Sequence, residues 1–165
     1  MKKLFLVRHA KSSWDDHNLS DFERPLNNRG RRDAPFMAKL ISQQGVSPDL
    51  IISGPANRAA TTARFFSETF NYKFEELFLE PRLYEASSED LREVIYEIGN
   101  SFTNVMMFAH NPGLTDLANN LTGKRIDNIP TCGIVSIGFN VDSWVEINNQ
   151  NSELIFFEYP KKYFK

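Results

Sequence analysis

Apolar runs that each lead into a polar turn and then a helical stripe set the rhythm of the first 120 residues. Leu4-Phe5-Leu6-Val7 is short and uninterrupted, the pattern of a strand covered on both faces, and it ends abruptly at Arg8-His9. Residues 10–27 are polar and irregular and predict a long loop, a feature that compact domains keep mostly for function. Residues 28–44 carry Met37, Leu40 and Ile41 at helical spacing. Pro35 interrupts that stretch, so the helix either starts late with Asp33 as its cap or is kinked. Leu50-Ile51-Ile52 predicts a second strand, ending at Ser53-Gly54-Pro55. A helix over 56–69 follows, with Ala59, Ala63 and Phe66 as its buried stripe.

Leu77-Phe78-Leu79 reads as a third strand closed by Pro81. Ser87 followed three residues later by Asp90 opens a helix whose apolar face is Leu91, Val94, Ile95 and Ile98. Val105 to Ala109 predicts a fourth strand. It runs through His110-Asn111-Pro112-Gly113 into a helix with Leu114, Leu117, Ala118 and Leu121, which Gly123 ends. Residues 134–139 and 154–157 read as two late strands joined near Asn148 to Asn151, antiparallel to each other. The alternation predicts an α/β three-layer sandwich, with a mostly parallel central sheet, a late antiparallel strand and helices on both faces.

Composition narrows the class. The 165 residues fit one domain, 1–165, and 41% hydrophobic residues supply its core. A formal charge of −2 argues against a partner gripped through nucleic-acid phosphates. Cys132 is the only cysteine, so neither a disulfide framework nor a multi-cysteine zinc site is available. No apolar run is long enough to cross a membrane, and the first one is too short for a signal peptide. The expected location is the cytoplasm.

Ligands of open parallel sheets bind beyond the carboxyl ends of the strands. Arg8 and His9 follow the first strand, Arg58 lies in the helix turn after the second, Glu85 follows the third and His110 the fourth. Two guanidiniums suit a phosphate, because each offers planar paired donors. Cationic neighbours disfavour the imidazolium, which would keep His9 neutral and able to attack phosphorus. Arg8, Arg58 and His110 would hold the phosphoryl oxygens. Glu85 would protonate a leaving oxygen and then activate water, or it would only complement the dipole of the following helix. Lys11 and Ser12 either touch phosphate or face solvent, and Trp14 either closes over the site or packs on the domain. His17 and Cys132 are read as ordinary loop or packing residues. Asp15, Asp16, Asp21 and Glu23 form an acidic run, either a solvated loop or a device that favours basic substrates.

Leu6-Val7-Arg8-His9-Ala10, the Ser53 to Ala63 segment and Phe108-Ala109-His110-Asn111 together resemble the histidine phosphatase superfamily, with its phosphoglycerate mutase-like fold. Ala10 stands where the family's first motif usually has glycine. Lys11-Ser12-Ser13-Trp14, Pro25 to Gly30 and His110 to Gly113 are similar to its SixA-like phosphohistidine phosphatase branch. The resemblance implies His9 as nucleophile, Arg8, Arg58 and His110 as phosphate ligands, no metal and no organic cofactor. It implies as substrate a phosphorylated protein carrying phosphohistidine, or a small phosphorylated molecule. Transfer of the acid role to Glu85 is weaker, since some SixA-like members lack such a residue. Three other functions compete: a phosphate-binding module without turnover, a two-histidine metal site with Glu85, and a mutase. An intact nucleophile disfavours the first, two arginines repel the cation of the second, and the short chain has few insertions to build the lid of the third.

Overall fold

A computed structural model describes residues 1–164. Six strands form one sheet in the order β3-β2-β4-β1-β5-β6: β1 Lys2–Arg8, β2 Leu50–Ser53, β3 Phe78–Leu79, β4 Asn104–Ala109, β5 Ile134–Phe139 and β6 Ser152–Glu158. β1, β2, β3 and β4 pair in parallel, whereas β5 is antiparallel to both β1 and β6. A single reversed strand therefore sits in an otherwise co-directional sheet, as the pattern of residues 134–157 predicts.

Alternation along the central strands builds two separate apolar layers. Leu4 and Leu6 of β1, with Val105 and Met107 of β4, face one side. Phe5 and Val7, with Met106 and Phe108, face the other. Helices α3 (Ser88–Tyr96) and α4 (Gly113–Thr122) cover the first layer through Leu91, Ile95, Leu114 and Leu117. Helices α1 (Asn28–Ser42) and α2 (Asn57–Thr69) cover the second through Met37, Ile41, Ala63 and Phe66. All eight of these helical side chains are fully buried, each worth roughly 1–3 kcal/mol in transfer free energy.

The helix ends follow local chemistry. Asn27, not Asp33, caps α1, accepting the Gly30 N–H at 2.9 Å. Pro35 lies inside that helix, and Asp33 is buried beneath Arg32 at 2.8 Å. A late start would have left the Asn27 cap unused and exposed Asp33, so the earlier boundary wins. Ser87 and Asp90 form the expected capping box of α3, and Gly123, at φ 69°, ends α4 in the left-handed region.

Two glycines let helix starts reach the strand-end loops. A Cβ on Gly30 would lie 2.3 Å from the Lys11 carbonyl oxygen, and one on Gly113 would lie 2.2 Å from that of Ala86. Gly30→Ala gains helix propensity of at most about 1 kcal/mol. It also drives a methyl into rigid backbone, at a cost of about 1–3 kcal/mol. The expected result is a net loss of stability in denaturant titration together with reduced turnover, since Lys11 belongs to the loop that follows β1.

Candidate active site

The backbone at the end of β1 is held at every polar group. Arg8 N–H donates to the Gly133 carbonyl at 3.0 Å, His9 N–H to Ala109 at 3.1 Å, and Ala10 N–H to the Thr62 hydroxyl at 2.9 Å. The carbonyls of Arg8 and His9 both accept from the Cys132 N–H, and that of Lys11 accepts from Asn27. Cys132 reaches both carbonyls because its backbone adopts φ 59°, an uncommon conformation for a side chain other than glycine. Its thiol is buried and its pKa is raised, first by that burial, which makes it an inert packing group.

The Ala10 carbonyl oxygen receives the His9 imidazole Nδ1 at 2.8 Å. A carbonyl only accepts, so Nδ1 carries the hydrogen and Nε2 keeps its lone pair when the ring is neutral. His9 is 7% exposed, and its pKa is depressed to about 3. Burial is the largest cause, followed by the charges of Arg58, Arg8 and His110, while the Ala10 bond opposes the shift. The positive charge anticipated from the sequence contributes, but less than burial. His110 is half-buried, and its pKa is lowered too, first by burial and then by Arg58.

A cavity of about 370 Å³ at the carboxyl edge of the sheet is lined by all five side chains singled out above: Arg8, His9, Arg58, Glu85 and His110. Arg8 donates from Nη1 to the Ile129 carbonyl at 2.9 Å, while its buried Nε has no acceptor among the described residues. The loop carrying Ile129 is fixed in turn by Asn111, whose amide nitrogen donates to Ile129 and whose oxygen accepts from the Thr115 backbone and hydroxyl. Arg58 is buried and ties back through Thr62, whose hydroxyl donates to the Arg58 carbonyl at 2.7 Å. Glu85 is exposed at the cavity wall with φ 54°, a second residue in the sparsely populated left-handed region.

Lys11, Ser12 and Trp14 also line this cavity, whereas His17 is exposed and does not. Trp14 packs on the domain at the edge of the cavity rather than in its core. It is 65% exposed with the Arg24 guanidinium 3.4 Å from its ring centroid. Of the acidic run, only Asp21 lines the cavity, and it does not face it as free charge. Its Oδ2 accepts from Arg58 at 3.0 Å and from the Tyr84 hydroxyl at 2.7 Å, and its Oδ1 from Arg24. Those bonds, led by that of Tyr84, hold its pKa down at about 2. Asp21, Arg24, Tyr84 and Asn111 are thus supports of the site that a reading by residue class alone passes over. The signal for Asn111 and Tyr84 was their adjacency to His110 and Glu85. Asp21 had none toward the site, because Arg58 and Tyr84 lie 37 and 63 residues from it.

Among the described residues, no group of three or more His, Cys, Asp and Glu side chains is placed to hold a metal ion. The donors that line the cavity are three guanidiniums, Lys11 and two imidazoles, which is a set for an anion.

Comparisons with known proteins agree with this geometry. Residues 4–112 match the histidine phosphatase superfamily (branch 1). An uncharacterized chloroplastic protein of Arabidopsis thaliana is 30% identical over 153 residues, covering 88% of this chain and 70% of that one. The crystal structure of a SixA phosphohistidine phosphatase assigned to Agrobacterium tumefaciens superposes with a TM-score of 0.83 at 26% identity, covering 96% of this chain and 98% of that one. The protein histidine phosphatase SixA complexed with tungstate shares the fold, with a TM-score of 0.77 at 21% identity over 97% and 98% of the two chains. These findings support phosphatase chemistry, and the chain belongs to the histidine phosphatase superfamily, with SixA phosphohistidine phosphatases among its structural relatives.

Proposed function

We propose that this protein is a metal-independent phosphatase that works through a covalent phosphohistidine on His9 and acts on phosphohistidine in a protein. The observation that carries the reading is the His9 ring: buried, Nδ1–H bound to the Ala10 carbonyl, Nε2 free, in a cavity shared with Arg8, Arg58 and His110. A binding module gains nothing from desolvating an imidazole until it stays neutral; a nucleophile requires it.

In the first step the Nε2 lone pair forms a bond to phosphorus as the P–N or P–O bond of the substrate breaks. Arg8 and Arg58 neutralise the equatorial oxygens, and His110 donates an N–H to them. The leaving nitrogen or oxygen takes a proton, from Glu85 where the leaving group is poor. In the second step water attacks phosphorus and gives up a proton to Glu85 or to a phosphoryl oxygen, the His9–phosphorus bond breaks with its electron pair returning to Nε2, inorganic phosphate leaves and the neutral ring returns. Asp21 holds Arg58 through its carboxylate and its carbonyl, at 3.0 and 2.7 Å. That contact orders a long side chain before substrate arrives, which lowers the entropic cost of binding.

Glu85 in the cavity wall favours a second reading, a phosphatase of small oxygen esters, because such leaving groups need an acid more than a protonatable imidazole does. The SixA relatives and a cavity open enough for a protein-borne ring favour the first.

His9→Ala is expected to lower turnover of p-nitrophenyl phosphate by at least about 10³-fold and to abolish acid-labile, base-stable phosphoryl label on the protein. Arg58→Ala is expected to cost about 10²–10³-fold, the scale of one lost transition-state partner. Full activity in His9→Ala contradicts the nucleophile. For Glu85→Gln, we expect rates on a phosphohistidine protein within about threefold of wild type and a loss of about 10²-fold or more on an alkyl phosphate. Efficient alkyl phosphate turnover by wild type, with no activity on phosphohistidine, moves the assignment to the second reading.

A further inference from the structure

A second groove, of about 410 Å³, opens beside the catalytic cavity and shares Arg8, Lys11 and Thr131 with it. Five cationic side chains line it, namely Arg8, Lys11, Arg29, Arg32 and Lys161, against one carboxylate, Asp33. The chain as a whole carries a formal charge of −2, so this concentration is local. Asp33 offsets one of these five charges, its buried carboxylate pairing with Arg32 at 2.8 Å and Arg29 at 4.0 Å, and the groove keeps a cationic surplus. Lys11 and Lys161 make no ion pair among the described residues.

The groove is built rather than accidental. Arg29 is steadied by a bond to the Thr131 hydroxyl at 3.2 Å, and Thr131 lies on the shared edge. Arg32 is stacked 3.9 Å from the Phe164 ring centroid. Phe164 and Tyr163 in turn pack on Phe36 of α1, which holds the chain after the Pro160–Lys162 turn against that helix. Crowding like charges on fixed walls opposes folding, and an anionic occupant reverses that cost. In the catalytic cavity Arg24 and Arg58 are both paired with Asp21, whereas Arg8, Lys11 and Lys161, which line this groove, make no ion pair among the described residues.

We infer that this groove seats acidic side chains flanking the phosphorylated residue of a protein substrate, so that the enzyme selects phosphoproteins with an acidic surface beside the phosphoryl group. The inference rests on the phosphohistidine-protein reading above, and it reverses the preference for basic substrates that the acidic run 15–23 invited. The catalytic cavity takes the phosphoryl group, while the adjoining charges fix the direction in which the substrate lies. Rim charge of this kind acts mainly on encounter and on KM, and weakens with salt.

The test uses the full-length protein and three probes: a phosphohistidine peptide flanked by glutamates, the same peptide flanked by glutamines, and p-nitrophenyl phosphate. Wild type is expected to prefer the glutamate peptide by about tenfold in kcat/KM, chiefly through KM, and to lose most of that preference between about 50 mM and about 500 mM salt. Arg29→Glu/Lys161→Glu is expected to abolish or invert the preference, and the single Lys161→Glu, on an exposed turn, to reduce it. Turnover of p-nitrophenyl phosphate establishes that each variant is folded. Equal kcat/KM for the two peptides in wild type, or a preference that survives both variants, overturns the groove assignment and leaves the proposed activity standing. Hydrolysis of p-nitrophenyl phosphate with neither peptide turned over overturns the phosphohistidine reading, and the assignment of this groove to a protein falls with it.

Discussion

One hydrogen bond decides what this site is able to do. The Ala10 carbonyl takes the Nδ1 hydrogen of His9 and so leaves Nε2 as the only ring atom with an available lone pair. The bond is useful because the carbonyl cannot move. Ala10 is pinned by Thr62, and the two preceding carbonyls are pinned by Cys132. Thr62 belongs to α2 and Cys132 to the segment before β5, so the orientation of one imidazole depends on elements far apart in the chain. Burial then removes the alternative of protonation, and two arginines and a second imidazole reinforce it. The hydrogen bond alone favours the charged ring; desolvation outweighs it, and the neutral, directed form results.

The same arrangement gives part of the site's positive charge a partner within the chain. Arg58 is buried and has its counter-charge in Asp21, which also binds Arg24 and Tyr84. Through these contacts the loop 10–27 is drawn over the edge of the sheet, with Trp14 stacked on Arg24 at the rim. Arg8 lacks such a carboxylate. Among the described residues it donates to a backbone carbonyl and makes no ion pair, so its charge is the less committed of the two. The contrast assigns different tasks to the pair: Arg58 is preset by the protein, and Arg8 is kept for what enters the cavity.

Much of this was legible from periodicity. The alternation of Leu4 and Leu6 with Phe5 and Val7 carries the two-layered core, and the strand-end positions of Arg8, His9, Arg58, Glu85 and His110 carry the cavity. The span of α1 was legible as residues 28–44, although Pro35 left a late start at Asp33 open. The cap that Asn27 supplies to the Gly30 N–H decides for the early start. Asp21 was misread. In sequence it stands among other acids, and only the fold brings Arg58 and Tyr84 to it. Counting charges along a loop says nothing about which of them are already paired.

The central claim is the protonation state and tautomer of a single ring, and nitrogen NMR of the imidazole reads both. Because the His9 pKa is lowered to about 3, the neutral form persists as pH falls from about 8 to about 5, where an ordinary histidine has become an imidazolium. Long-range proton–nitrogen spectra of the ligand-free protein are expected to show His9 with one protonated nitrogen, Nδ1, and one unprotonated, Nε2, unchanged across that range. A His9 ring that titrates near 6.5, or one whose hydrogen resides on Nε2, contradicts the account.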